Sequence, residues 1–175
     1  MSIATATTRH VVIDSPIGPL TLVRDHDGLT GLYYPGHWTR PDKAGFGPRV
    51  EAGDDHGFDK AITQLNEYFA GTRKEFDLPL NPVGSERARR LWLLLAEIPY
   101  GHTTTYGELA RRIGGDIGPR DIGGFVGHNP LSIFIPCHRV VGSTGKLTGY
   151  AGGIDRKQYL LELENAIPVA PQALW

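Results

Sequence analysis

The chain has 175 residues, of which 40% are hydrophobic and 21% charged, and it carries a formal net charge of −1. This composition can fill the core of one ordinary domain or two small ones, and it argues against global disorder. A single cysteine excludes an internal disulfide framework and a multi-cysteine zinc site, and the near-zero charge argues against a protein that coats nucleic acid.

The opening MSIATATTRHVVIDS lacks an apolar signal core, and no later apolar run approaches the length of a membrane span, so a soluble cytoplasmic protein is expected; a monomer is expected as well. RHVVIDS, the turn SPIGPL and TLVRDHDGLTGLYY alternate apolar and polar residues between Gly, Pro and Asp, as hairpin strands do. Residues 35–57 are rich in Pro, Gly and charge and predict a long surface loop. FDKAITQLNEYFAG predicts a helix with Phe58, Ile62, Leu65 and Phe69 on one face and Gly71 as its stop. RKEFDLPL follows as a short closing strand. This half, residues 1–80, is expected to be a structural α/β domain without chemistry of its own.

Near Asn81-Pro82 the pattern turns helical, which places the boundary of a second domain over residues 81–170. SERARRLWLLLAEI predicts a helix ending at Pro99. TYGELARRIGG opens with a capping box from Thr105 to Glu108 and stops at Gly114-Gly115. PRDIGGFVGHN follows, with Pro119 suited to a first helical position. Two short helices joined by a glycine-containing turn form a helix-turn-helix candidate, although such pairs also occur in domains that never touch DNA. The second helix carries Gly123, Gly124 and Gly127, each costing about 1 kcal/mol relative to alanine. Tolerance of such a cost points to a bare surface for close approach, either by another helix or by a ligand. The halves also differ in charge. Residues 1–80 hold 8 basic against 11 acidic residues and residues 81–175 hold 10 against 8, which puts any nucleic-acid surface in the second half.

The lone Cys137 sits in LSIFIPCHRVVG. A free cysteine is usually a small buried hydrophobe, so its neighbours must decide. The apolar run predicts a buried strand that delivers the thiol, with Pro136 fixing the backbone ahead of it. His138 and Arg139 are candidates for lowering the thiol pKa. Adjacent strand residues point to opposite faces, so a Cys137–His138 contact would need a turn or a bridging water. Glu164, on the amphipathic stretch DRKQYLLELE, is a candidate to orient His138 or else a solvated helix carboxylate.

SPIGPL, LNEYFAG, IPYGHTTTYGELA, GHNP, IPCHRVVG with GSTGKLTGYAGG, and RKQYLLELE occur in that order over nearly the whole chain. In these pieces the sequence resembles the O6-alkylguanine-DNA alkyltransferase family. The resemblance implies an N-terminal α/β domain of ribonuclease H-like type, with a small antiparallel sheet plus helix, and a mainly helical C-terminal domain containing a helix-turn-helix of winged-helix type. It implies irreversible transfer of an alkyl group from O6-alkylguanine, and from O4-alkylthymine, in double-stranded DNA to Cys137, with each molecule reacting once. By the same resemblance His138 would be the base, acting through a water, and Glu164 would orient it. Tyr106 would push the target nucleotide or donate a proton to it, and Asn129 would stiffen the turn holding the active-site strand. Arg120 would fill the gap in the stack, with Thr105, Tyr106 and Gly123 also on the minor-groove face. Pro136, Tyr150, Ala151, Gly152 and Gly153 would line the substrate pocket. No cofactor is implied, and no metal is expected, because the first domain lacks a cysteine for the zinc site that some members carry.

The sequence departs from the family pattern at Arg87-Ala88, where Phe-Gln is usual, and at Asp121 and Phe125, which take alanine positions. An acid near phosphates is repulsive, and a bulky ring on a groove-facing helix clashes unless it turns inward. A diverged member with an unusual alkyl donor and a damage-binding protein are the alternatives these departures keep open.

Overall fold

A computed structural model describes residues 8–167 except Asp116, so the outer ends of the expected domains, 1–7 and 168–170, lie outside the described residues. Strands β1 (Arg9–Ile13), β2 (Leu20–Asp25) and β3 (Gly28–Tyr33) form an antiparallel meander in that order. The pairings Val11↔Leu22 and Leu22↔Leu32 line up fully buried side chains, as the period-two alternation requires. Helix α1 (Asp59–Phe69) packs beside this sheet.

Residues 35–57 are less of a surface loop than their composition suggests. They contain three 3-10 turns and bury His37, Phe46 and Asp55. Asp55 is paired with Arg9 and Arg24, at 3.3 and 3.0 Å, and so can stay charged inside. On α1 the buried face is Ala61, Gln64, Leu65 and Tyr68, while Ile62 and Phe69 are only half-buried. This i, i+3, i+4, i+7 set is rotated from the expected one because Phe58 belongs to the preceding 3-10 turn rather than to the helix. The expected closing strand at RKEFDLPL is a single bridge, Leu29↔Leu80, held by Leu29 N–H to Pro79 O and Asn81 N–H to Leu29 O. Pro79 and Pro82 flank that bridge and cannot donate to a longer ladder.

The second half is mainly helical: α2 (Glu86–Leu95), α3 (Tyr106–Ile113), α4 (Pro119–Gly127) and α5 (Ile154–Leu163). Ser85 caps α2 by accepting from Ala88 N–H at 3.1 Å. That helix stops at Leu95, short of Pro99, and the chain bends through Ala96–Ile98. Thr105 caps α3 through Glu108 N–H at 3.1 Å, but the Glu108 carboxylate turns to Arg111, so only half of the capping box forms. Helices α3 and α4 pack on each other and on α2. A two-residue parallel ladder joins β4 (Thr104–Thr105) to β5 (Val140–Val141).

One hydrophobic core runs through both halves. Phe76 meets Tyr68 and Phe134 at centroid distances of 5.3 and 5.0 Å, and Leu32 N–H donates to Pro130 O at 2.8 Å.

Candidate active site

The segment expected as a strand before Cys137 is a tight turn, and Asn129 is the reason. Its Nδ2 donates to Ile135 O at 2.8 Å, and its Oδ1 accepts from Leu131 N–H at 3.0 Å. Leu131 O in turn accepts from Ile135 N–H at 2.9 Å. Ile133, at the tip, has φ of 74°, a left-handed conformation that a β-branched residue adopts only under constraint. The thiol therefore stands at the head of a 3-10 turn, Cys137–Arg139, and not on a pleated strand. His138 is not forced to the opposite face, and the turn carries it inward together with Cys137.

Glu164, the last cap of α5, is 1% exposed and is surrounded by donors. Its Oε2 accepts from His138 Nε2 at 2.7 Å, from Tyr68 Oη at 2.5 Å and from Arg139 Nη2 at 3.0 Å, while Oε1 accepts from Arg139 Nε at 2.8 Å. Despite its burial, His138 and Arg139 hold the carboxyl down at about 2. An ionised carboxylate only accepts, so His138 Nε2 carries the proton and Nδ1 keeps a lone pair. Nδ1 is buried and has no hydrogen-bond partner among the described residues. Burial pushes the His138 pKa below its ordinary value, and Arg139 already balances the Glu164 charge, so the ring is neutral at pH 7. Arg139 is thus committed to Glu164 and to Ile98 O, at 2.5 Å for the latter, rather than to the thiol.

Burial raises the Cys137 pKa, which keeps it a thiol at rest, while Asn129 and the charge of Lys157 pull the other way. Lys157 is almost fully buried, donates to Val140 O at 2.6 Å, and is itself pulled down to about 8 by desolvation. Two features of the site are therefore a buried neutral base with a free lone pair and a buried thiol beside a buried cation.

In front of Cys137 lies a cavity of about 250 Å³ lined by Trp38, Tyr106, Gly123, Val126, Gly127, Gly149, Tyr150 and Ala151. Tyr106 Oη and Thr148 Oγ1 share a hydrogen bond of 2.8 Å, and Tyr150 Oη shares one of 2.6 Å with Tyr34 Oη. Arg156 ties the Tyr150 loop to the first strands by donating to Gly152 O and Ile17 O at 3.0 and 2.7 Å. Gly152, Gly153 and Pro136 lie outside the cavity lining; the two glycines border a separate groove, and Pro136 faces a cleft with Ile133 and Arg139. Thr105 is half-buried at the start of α3, and Arg120 is exposed on the first turn of α4.

Of the four unusual residues of the helical half, Arg87 meets both Asp121 and Phe125. Arg87 Nη2 approaches Asp121 Oδ2 at 3.5 Å, and the Arg87 guanidinium lies 6.0 Å from the centroid of the Phe125 ring. Phe125 packs half-buried against the core, and its carbonyl accepts from Trp92 Nε1 at 2.8 Å. The ring has turned toward α2, and the acid has a local counter-charge.

Sequence reasoning missed Tyr68, Tyr34, Trp38, Thr148 and Lys157, and it placed no chemistry in the first half. Tyr68 and Tyr34 both come from that half and bond to Glu164 and Tyr150, so the first half supplies structural contacts to the site. For Lys157 a signal existed: Lys157, Leu160, Leu161 and Glu164 fall at i, i+3, i+4 and i+7, which puts two charges on the buried face of α5. Among the described residues no group of three or more His, Cys, Asp or Glu side chains could hold a metal ion. No helix among them is long and apolar enough to cross a membrane.

Residues 8–82 match the model of the 6-O-methylguanine DNA methyltransferase ribonuclease-like domain, and residues 86–166 match that of the DNA-binding domain. A methylated-DNA–protein-cysteine methyltransferase of Mycobacterium tuberculosis is 47% identical over 154 residues, covering 88% of this chain and 90% of the relative. A protein of the same name from Methanosarcina acetivorans is 42% identical over 157 residues, covering 90% and 98%. The crystal structure of M. tuberculosis OGT in complex with DNA superposes with a TM-score of 0.78 at 46% identity, covering 90% of this chain and 93% of that one.

Proposed function

The chain belongs to the 6-O-methylguanine DNA methyltransferase family, and we propose that it repairs DNA by moving the alkyl group of O6-alkylguanine onto Cys137. The observation that carries the reading is the buried Cys137 at the floor of a cavity, backed by His138 with a free Nδ1 and an ionised Glu164. The damaged base leaves the stack to reach this floor, because a fixed thiol cannot approach O6 inside a duplex.

In the proposed step the Cys137 proton passes through a water to His138 Nδ1. Glu164 stabilises the imidazolium that forms, with its own charge held in place by Arg139 and Tyr68. The sulfur attacks the alkyl carbon, the carbon–oxygen bond breaks, and O6 keeps the electron pair. Tyr106, which borders the cavity, gives its hydroxyl proton to the guanine anion, the phenolate takes a proton back from solvent water through Thr148 Oγ1, and His138 releases the thiol proton to solvent, so both side chains end neutral. The product is a thioether with no route back, so each chain reacts once. O4-alkylthymine presents the same alkyl–oxygen bond and is a second substrate.

Recognition of DNA is assigned to α3 and α4 as a helix-turn-helix of winged-helix type, docked in the minor groove. Arg120 takes the space of the extruded base, with Thr105 and Gly123 beside it. Tyr150 and Ala151 offer the guanine edge its contacts. The reading divides the chain near Asn81, needs no cofactor or metal, and places a monomer in the cytoplasm, where a reactive thiol stays reduced. Pairing of Asp121 with Arg87 supports ordinary DNA binding over a diverged alkyl donor.

Intact mass after incubation with excess O6-methylguanine duplex tests this directly. It is expected to rise by one methyl group per chain and then stop, and Cys137→Ser is expected to stay unmodified, because a hydroxyl is a far weaker nucleophile at neutral pH. Continued turnover, or methylation of the serine variant, would refute the reading.

A further inference from the structure

Gly123 and Gly127 lie one turn apart on the same face of α4. The two glycines serve different ends. A Cβ at Gly123 would meet nothing within 4 Å, whereas one at Gly127 would stand 2.8 Å from Trp38 Cζ2. The indole thus lies on the bare backbone of α4 and meets the His128 ring in an edge-type contact at a centroid distance of 5.4 Å. Trp38 arrives there from the first half of the chain. Its backbone is fixed on both sides: His37 is buried and its Nδ1 accepts from Tyr34 N–H, and Trp38 N–H donates to Ala151 O at 3.2 Å. The residue remains 54% exposed while bordering the same cavity as Cys137.

An indole that is half in water contributes little to the core, and at a cavity mouth its broad apolar face meets whatever enters. At about 250 Å³ the cavity is smaller than the roughly 300–1,000 Å³ of ordinary small-molecule sites, so it has little spare room. Tyr150 is buried and bonded to Tyr34, and Tyr106 is bonded to Thr148. By comparison, the Trp38 ring is the exposed wall.

We propose that Trp38 is a specificity-determining residue whose indole, seated on Gly127, limits the size of the O6 substituent that can reach Cys137. This rests on the alkyl-transfer reading above. A methyl group fits beneath the ring, while a benzyl group must displace it, and overfilling a packed wall is unfavourable. Gly127 belongs to the same device, because a methyl there would push the indole aside.

The test is the single-turnover rate of transfer from duplex DNA carrying O6-methylguanine or O6-benzylguanine, with the methyl rate as the internal control for a folded site. Trp38→Ala is expected to raise the benzyl-to-methyl ratio roughly tenfold, the scale on which small volume changes in a pocket discriminate substrates. Trp38→Phe should raise it less, and Gly127→Ala should raise it without touching Trp38 itself. A merely structural role would slow both transfers together, and the unchanged ratio would overturn the proposal. A falling ratio would overturn it too, since the ring would then support the bulky group. Absence of transfer from both substrates in the unaltered protein would refute the alkyl-transfer reading, and with it the part given to Trp38.

Discussion

The side of Cys137 that faces Glu164 and the side that faces α4 differ in how their polar groups are held. Behind the thiol, Glu164, Arg139, His138 and Tyr68 are all buried and bonded to one another, with the carboxylate taking four hydrogen bonds from three residues. In front of it, Gly123 presents bare backbone, Arg120 is exposed, and Asp121 on α4 makes a half-exposed contact with Arg87. A site that must move a proton needs charges fixed before the substrate arrives, and a surface that must receive a bent, opened duplex needs space. The difference teaches where substitutions should be felt. Changes behind the thiol reach both stability and chemistry, and changes in front reach recognition.

The largest expected effect lies on the buried side and depends on pH. The Glu164 pKa falls from 4.5 to about 2 on folding, so its contribution is fully present above pH 4.5 and is lost as pH falls toward 2. A shift of this size corresponds to on the order of 3 kcal/mol. The His138 pKa is also depressed, so the unfolded chain takes up a proton first, and this loss begins as pH falls through about 6.5. Urea unfolding at pH 7 and pH 3.5 should therefore show a steeper acid loss in the unaltered protein than in Glu164→Gln. Equal losses would mean that the buried cluster is not held by the charge of Glu164.

The smallest expected effect lies on the open side. On the proposed docking Asp121 opposes phosphates, Arg87 already offsets its charge, and exposed pairs of this kind are worth about 0–1 kcal/mol. Asp121→Ala should tighten duplex binding by about 0.5 kcal/mol at low salt, on the scale of one charge at a helix terminus. Titrations at rising salt should show the gain fading as screening grows. Unchanged or weaker binding at low salt would mean that α4 does not face the phosphates.

The same contrast governs what could be read from sequence. The three strands followed from alternation, α1 and the helices of the second half from caps and apolar spacing, and Cys137, His138 and Glu164 from the IPCHR and RKQYLLELE stretches with the family resemblance. The turn at Leu131–Pro136 was not legible as a turn from the run itself, since LSIFI is as apolar as a buried strand, and the bonds of Asn129 together with Ile135 N–H to Leu131 O fold it back. Trp38, Tyr34 and Tyr68 reach the site from far along the chain, and no local pattern announces such contacts. Arg87, Asp121 and Phe125 looked like three separate departures, whereas the crossing of α2 and α4 makes them one cluster.

The central claim, that the chemistry is set behind Cys137 and recognition in front of it, is tested most directly by comparing transfer from free O6-benzylguanine with transfer from alkylated duplex. Removing a general base typically costs about 10²–10⁴ in rate, so Glu164→Gln and His138→Ala should slow both substrates by similar factors of that order. Arg120→Ala should slow the duplex reaction while transfer from the free base follows the unaltered protein. A relay variant that loses only the duplex reaction, or an Arg120 variant that loses both alike, would contradict the account.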